Sequence, residues 1–431
     1  MTTERRRFLA TTATGVAATT MTAAAHARVY KANERVNVGV IGCGGRGRQL
    51  ARLFGQQKDA HVVYTCDPDA RRAAQAKDHS RADKAVADLR KIIEDKSVDA
   101  VVIAACDHWH APAAIMACNA GKHVYVEKPC SHSLVEGRKM IEAAHKNKRV
   151  MQHGTQTRSR GDYQEVMKML QGGVIGTVLM AKHINSQRRA NIGHRKPSEP
   201  PKHLNYDLWV GPAEFQPYQS NFVHYNWHWR YNYGTGDIGN DGVHGIDVAR
   251  WGLGVDTHPA RVLGYGSKLY FDDDQQFPDT YTLSFEYPGD GKVGSARVLT
   301  YEQRIWSPYR EDEHGTSAIF YGTKGQLRVE RKEFRIYGER HKLIKKIPKK
   351  DPPGDAHQRN FLDVVQGKKK KLNADIEVGF LSSALCHLGN IVSRTGRNVE
   401  FDPKTEKISR DAKANGMLDR KYRAGHWAVP K

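Results

Sequence analysis

Three short stretches carry side chains whose types and spacing suit chemistry on a hydroxyl or carbonyl group beside a dinucleotide. In Gly42-Cys-Gly-Gly-Arg-Gly47 the glycines Gly42, Gly44 and Gly47 stand at the G-x-G-x-x-G spacing. Gly42 permits a tight turn, Gly44 lets the backbone approach a pyrophosphate, and Gly47 lets helix and strand pack closely. The helix that follows would face the phosphates with free N–H groups. Asp67 comes twenty residues after Gly47, where a carboxylate bonds the ribose hydroxyls of NAD and repels the extra phosphate of NADP. The second stretch is Glu127-Lys-Pro129. Lys128 either donates a hydrogen bond to a substrate oxygen and passes a proton, or is a surface lysine in a turn before proline; position alone leaves both open. The third runs from Asn240 to Asp247. If it is helical, Asn240 and His244 are i,i+4 and His244 and Asp247 are i,i+3, so all three share one face. A satisfied structural histidine is the plain alternative for His244.

A glycine pattern is informative only between a strand and a helix, and that context is present. Residues 36–41 are apolar and β-branched, as a buried strand is, and residues 46–56 read as the following helix. A second strand over 61–66 ends at Asp67. Helices at 69–79 and 86–94, a strand at 98–104, a helix at 111–120 stopped by Gly121, and a strand at 123–126 follow. Ser133 caps a helix over 133–147, with Glu136 three residues on, and residues 149–152 close the series. This alternation predicts a doubly wound parallel sheet over residues 35–155, with ligands at the carboxyl ends of its strands. Lys128 is then aimed into the crevice where a nicotinamide would sit.

At 431 residues the chain is too long for one core, and residues 156–395 read as a second domain. Alternating runs at 261–265, 280–287, 292–301, 317–321, 326–330 and 333–336 predict one antiparallel sheet with a solvated or partner-facing side. Amphipathic helices at 357–365 and 376–394 would return to pack on the first domain, and residues 396–431 form an exposed tail or a clasp. Tyr225, Trp227, Trp229, Tyr231 and Tyr233 offer ring faces of the kind that stack on a sugar. Most should be core, with Trp229 and Tyr233 at the pocket. His224 and His228 at i,i+4 could ligate a metal, but hydride transfer needs none, and no metal site is expected.

Hydrophobic content of 39% with 27% charged residues describes a globular protein. With no run of eighteen apolar residues, no transmembrane span is expected. Six cysteines without a C-x-x-C read as small buried hydrophobes rather than as a disulfide framework or zinc ribbon. The net charge of +21 is partly local, in runs at 345–350 and 368–371. Such runs are solvated loop surface; nucleic-acid binding is not expected, while attraction to acidic polysaccharide or an anionic envelope stays open. Glu4-Arg-Arg-Arg-Phe-Leu9, an Ala- and Thr-rich stretch and Ala25-His-Ala27 follow the order of a twin-arginine signal peptide over residues 1–27. That order predicts a periplasmic or exported protein.

The glycine turn, the His110-Ala-Pro element, Gly121-Lys-His-Val-Tyr-Val-Glu-Lys-Pro129 and His244-x-x-Asp247 together resemble the Gfo/Idh/MocA oxidoreductases. The resemblance runs from about residue 35 to 395. It implies a Rossmann domain followed by an α/β domain with a large open sheet, which often pairs subunits as dimers or tetramers. It also implies hydride movement between NAD(P) and a sugar, cyclitol or related polyol. The family stretch is Asp-x-Gly-x-His-x-x-Asp, whose histidine carries a proton beside the Glu-Lys-Pro lysine and whose first aspartate helps hold substrate. His244 and Asp247 match, whereas Asn240 replaces that aspartate, leaving Asp237 or Asp241 to compensate. The catalytic candidates are Lys128, His244, Asn240 and Asp241. Cofactor candidates are Gly42, Cys43, Gly44, Arg46, Gly47, Asp67, His110, Glu127 and Lys128, with NAD favoured over NADP. Trp229, Tyr233 and Asp247 are the substrate candidates. The leading expectation is an NAD(P)-dependent sugar or polyol oxidoreductase. A glycoside hydrolase acting by transient oxidation and elimination is the alternative, and a non-catalytic sugar-binding protein the third.

Overall fold

The computed structural model describes residues 35–309, 317–351 and 354–430, so the twin-arginine motif and Ala25-His-Ala27 lie outside the described residues. The apolar run from Val36 forms β1 (Val36–Ile41), in which Val38 and Val40 are fully buried. A strand with no polar face must be covered on both sides, and flanking helices supply that cover. There follow α1 (Gly45–Gly55), β2 (Ala60–Cys66), α2 (Ala70–Ser80), β3 (Lys84–Val86) and α3 (Arg90–Glu94). Then come β4 (Ala100–Ile103), α4 (Asp107–Asn119), β5 (His123–Val126), α5 (Leu134–Lys146) and β6 (Met151–His153). The strands make a parallel sheet of order β3-β2-β1-β4-β5-β6. Strand order reverses between β1 and β4, and a doubly wound sheet opens its ligand crevice at that point.

Two elements differ from the pattern expected of the sequence. The helix expected over 86–94 is instead the edge strand β3 and the short α3, because Lys84 and Ala85 join β2 by backbone pairing that needs no apolar face. α4 starts before residue 111: Cys106 is extended, and Asp107 occupies the first turn. Pro112 therefore lies inside the helix. Its missing N–H leaves the His108 carbonyl without its usual intrahelical partner. Arg420 Nη2 donates to that oxygen at 2.7 Å.

The second domain opens with α6 (Gly161–Gln171), β7 (Val178–Ser186), α7 (Tyr206–Val210) and α8 (Val243–Leu253). Next are β8 (Arg261–Ser267), β9 (Thr280–Tyr287), β10 (Arg297–Arg304), β11 (Ala318–Gly322), β12 (Gly325–Val329), β13 (Glu333–Tyr337) and β14 (Leu343–Pro348). α9 (Ala356–Val365), α10 (Ile376–Thr395), β15 (Val399–Asp402), β16 (Lys407–Ile408) and α11 (Ala412–Gly416) complete the chain. The ten strands form one sheet of order β14-β13-β12-β11-β7-β10-β9-β8-β15-β16. Only β7 and β10 pair in parallel. In β9, Tyr281, Leu283, Phe285 and Tyr287 point into the core, and Thr282, Ser284 and Glu286 point away. α8 and α10 cover the apolar face; on the other, Tyr265 and Tyr321 are exposed. The lysine run at 345–350 lies partly on the outermost strand β14, where exposed charge discourages pairing with a further strand.

The two halves are packed together. Phe361 of α9 meets Phe54 and Tyr125 of the first domain edge-on, with centroids 6.1 and 6.0 Å apart. Burying such a ring contributes about 1.5–3 kcal/mol. α10 contacts α5 and β6 as well as β8. It is the one helix among the described residues long and apolar enough to cross a bilayer, and 78% of its apolar window is buried, which makes it a core helix. The chain after residue 396 adds β15 and β16 to the sheet, then runs back across α5, where Val135 N donates to Leu418 O at 3.0 Å. All six cysteines are free.

A Cβ at Gly47 would sit 1.7 Å from the Gly42 carbonyl oxygen. Gly47→Ala is expected to lower stability by about 1–3 kcal/mol through this overlap, read as a reduced urea midpoint; an unchanged midpoint would contradict the packing described.

Candidate active site

The glycine turn closes the crevice from below. Gly42 has φ +84°, and a Cβ there would lie 2.4 Å from the Ala105 backbone nitrogen, so β1, α1 and the end of β4 touch only because side chains are missing. Gly44 is different: a Cβ would meet nothing nearer than Arg72 Nη1 at 3.2 Å. α1 has no side-chain cap and no acid in its first turn. Its first N–H groups are therefore suited to an anion such as a pyrophosphate. Asp67 is buried; its Oδ2 accepts from Cys43 N and its Oδ1 from Asp69 N, both at 2.8 Å. Burial pushes its carboxyl up, although these two N–H groups oppose that. A carboxylate has about four lone-pair sites, so Asp67 can hold the turn and still accept from ribose. An open backbone at Gly44, an uncapped helix and this carboxylate fit NAD. They line a cavity of ≈ 300 Å³ that extends to Lys128 and Asn240.

β5 is wholly buried and delivers Glu127 and Lys128 to the same cavity. Glu127 Oε1 accepts from Arg46 Nε at 2.7 Å, tying α1 to the end of β5. Burial would raise the Glu127 carboxyl, but the charges of Arg46 and Lys128 outweigh it and hold it at about 2. Lys128 Nζ donates to Asn240 O at 2.6 Å and to Asn240 Oδ1 at 3.2 Å. The amide is oriented from behind, where Asn240 Nδ2 donates to Asp237 Oδ1 at 3.2 Å. Asp237, fully buried, also accepts from Arg189 Nη2 at 2.8 Å, Gln187 Nε2 at 2.6 Å and Asn185 Nδ2 at 3.1 Å. A second carboxylate at 240 would face Asp237 at this range, and the neutral amide avoids that repulsion. Arg189 Nη2 also holds Asp241 Oδ2 at 2.6 Å, leaving the Asp241 side chain 46% exposed. Burial raises the Asp241 carboxyl, but Arg189 and Lys128 outweigh it and the net shift is downward.

Residues Ile238–Gly242 form a π-helical turn, and α8 begins only at Val243. The regular helix expected from Asn240 is thus widened, and Asn240 and His244 are not stacked on one straight face. His244 is half-buried. Its burial and the charge of Lys128 pull the imidazole down to about 4, against the carboxylates of Glu127 and Asp241. Charges from both domains therefore act on one ring, which is neutral at neutral pH and able to accept a proton.

Three substrate candidates lie elsewhere. Asp247 is fully buried: Arg158 Nε donates to its oxygens at 3.0 and 2.8 Å, and Ser382 Oγ to Oδ1 at 2.7 Å. It ties α8 to α10 and is saturated, because its side of α8 faces the core. Trp229 and Tyr233 are 2% and 1% exposed and stand outside the cavity lining. Tyr233 packs on Trp209 with centroids 4.7 Å apart. Tyr225 and Trp227 line the cavity instead, Trp227 stacking on His228 at 3.6 Å. The His110 ring lies between Pro129 O at 2.6 Å and Ala105 O at 3.0 Å, steadying the turn after Lys128. His224 and His228 are directed to Asp69 and to the Tyr225 carbonyl. Sequence reasoning missed Arg189, whose only signal is its place just beyond β7. It also missed Asp107, a buried acid on the cavity wall that accepts from Thr235 Oγ1 at 2.7 Å and that burial pushes up to about 7.

Comparison with known proteins agrees with this geometry. A family model for an oxidoreductase family with an NAD-binding Rossmann fold matches residues 36–155. Its companion, the C-terminal alpha/beta domain of an oxidoreductase family, matches residues 163–429. The chain is similar to inositol 2-dehydrogenase of Salmonella paratyphi B, 35% identical over 156 residues, 35% of this chain and 46% of that protein. It thus spans about half the length of that curated relative. It is 29% identical to myo-inositol 2-dehydrogenase of Thermotoga maritima over 276 residues, 63% of this chain and 72% of that protein. The fold is similar to that of the WlbA dehydrogenase from Bordetella pertussis in complex with NADH and UDP-GlcNAcA, with TM-score 0.65 and 18% identity, covering 85% of this chain and 99% of that one.

Two measurements check the site. The His244 ring is expected to titrate near pH 4 by NMR, and Asp241→Asn should lower it further by removing a carboxylate that favours the cation; a midpoint near the ordinary imidazole value contradicts the assignment. Asp247→Ala should cost about 3–5 kcal/mol of stability by stranding Arg158, while NAD binding at saturating cofactor persists; lost binding in a folded variant would return Asp247 to the site.

Proposed function

The chain belongs to the Gfo/Idh/MocA family of NAD-binding oxidoreductases, and from that premise we propose that it is an exported oxidoreductase acting on a sugar or polyol with a tightly held NAD(P). The observation that carries this reading is the bond from Lys128, delivered by the first domain to a cavity floored by the glycine turn, to Asn240 of the second domain, four residues before His244, whose ring feels the lysine's charge. A bound nicotinamide supplies the two-electron acceptor or donor. An ammonium has three N–H donors; two of those of Lys128 are held by Asn240, and the third is available to the substrate oxygen. The neutral His244 ring accepts the hydroxyl proton in oxidation and returns it in reduction. Asp241, half-exposed and fixed by Arg189, accepts from a neighbouring hydroxyl and takes over what Asn240 cannot do. Tyr225 and Trp227 offer ring faces to the sugar. Inositol dehydrogenases among the relatives support a polyol-like substrate. The outward face of the large sheet, with Tyr265 and Tyr321, would pair copies as a dimer or tetramer.

Export is carried by Glu4-Arg-Arg-Arg-Phe-Leu9. It favours one second reading, a glycoside hydrolase that oxidises, eliminates, adds water and re-reduces, because a cofactor carried outside the cytoplasm must be regenerated within each cycle. One assay separates the two: aryl glycosides and free sugars are supplied with and without NAD, following aglycone release and absorbance at ~340 nm, the reduced nicotinamide band. Release without added cofactor selects the hydrolase, and reduction of added NAD selects the dehydrogenase. Lys128→Ala is expected to lower kcat by about 10²–10⁴-fold with cofactor still bound; unchanged kcat removes Lys128 from the mechanism.

A further inference from the structure

The far end of the same cavity is built from three parts of the chain. Asp67 closes β2, and the residues that follow the neighbouring strand, Asp88 and Leu89, line the wall beyond it. Trp109, from the first turn of α4, and Trp427, from the C-terminal segment, line the same cavity. If the carboxylate of Asp67 takes the ribose, the base attached to that ribose must lie among these side chains. Leu89 and the two indoles make the apolar part of that lining.

Trp427 is not a loose residue of a frayed end. Arg420 Nε and Tyr422 OH both donate to Glu136 Oε1, at 2.8 and 2.9 Å, and Arg423 Nη1 donates to Asp207 Oδ1 at 2.6 Å. Arg420 also satisfies the carbonyl that Pro112 frees in α4. Ala428 is 2% exposed. Yet between these anchors Trp427 stays 38% exposed. One side meets Trp109, with centroids 5.8 Å apart, and the Arg90 guanidinium lies 4.6 Å from the ring centroid. Holding a large ring in place while leaving part of it bare is what a stacking partner requires.

We propose that Trp427, with Trp109 and Leu89, forms the adenine subsite, so that the C-terminal segment is a clasp that retains the dinucleotide. This rests on the dinucleotide reading of the cavity. A cofactor seated there would lie under a segment bonded to Glu136 of the first domain and Asp207 of the second, which is how an exported protein would keep it.

The test compares three ligands on the full chain: NAD, AMP as the adenine half and nicotinamide mononucleotide as the other. Calorimetry on Trp427→Ala should show NAD and AMP binding weakened about tenfold or more, as for loss of one base-stacking ring, with nicotinamide mononucleotide unchanged. Trp427→Phe should recover most of the loss. NAD bound by Trp427→Ala as tightly as by the parent chain overturns the proposal. So does an equal loss for all three ligands, which would mean general damage. A parent chain that carries no dinucleotide of its own and binds none of the three overturns the dinucleotide reading itself, and this inference with it.

Discussion

The ammonium of Lys128 crosses from one domain to the other and ends on the carbonyl oxygen of Asn240. A charged donor at 2.6 Å from a backbone acceptor fixes the end of β5 against the turn before α8, and with it the separation of the two halves of the site. Its neighbours are arranged so that this charge is tolerated. Glu127 precedes it in sequence, Asp241 lies beside it, and the acceptor it touches is an amide whose rear face is held by Asp237. Moving one domain away from the other would strand the ammonium, and that costs more than the motion gains.

The buried charges divide into two kinds. Asp247 with Arg158, and Asp237 with Arg189, are deep, fully bonded and serve to hold elements together. Asp241, His244 and Lys128 sit where those anchored groups leave off, each partly open, with the charge of Lys128 acting on the other two. The deep pairs hold the open ones in geometry without blocking them, which is the arrangement a proton-transfer site needs. Arg189 belongs to both kinds, because one nitrogen reaches the buried Asp237 and the half-exposed Asp241 together.

The C-terminal segment shows how local chemistry and long-range packing depend on each other. A proline within α4 frees one carbonyl, and an arginine from a segment more than three hundred residues later takes it. That contact, with Glu136 as a second anchor, brings residues near the chain end to the cavity wall. The sheet extension by β15 and β16 sets the direction from which the segment arrives.

By itself the amino-acid sequence determined whatever depends on neighbours within a few positions. The valines of β1, the spacing of Gly42, Gly44 and Gly47, the alternation along β9 and the capping of α5 by Ser133 all act over one turn or one strand, so their pattern reveals them. The place of Lys128 at a strand end could be read the same way. Which face of α8 meets the core could not: helical spacing put Asp247 beside His244, but only the packing of α8 on α10 shows that Asp247 is turned inward to Arg158 and Ser382. The same holds for Trp229 and Tyr233, whose rings look like those of Tyr225 and Trp227 until burial separates them. Arg189 and Trp427 reach the site through contacts with residues far away in the chain, and periodicity carries no record of such partners. Local propensity repeats along a chain, whereas the meeting of distant side chains is decided by how whole elements bury their apolar faces, and that is settled only in three dimensions.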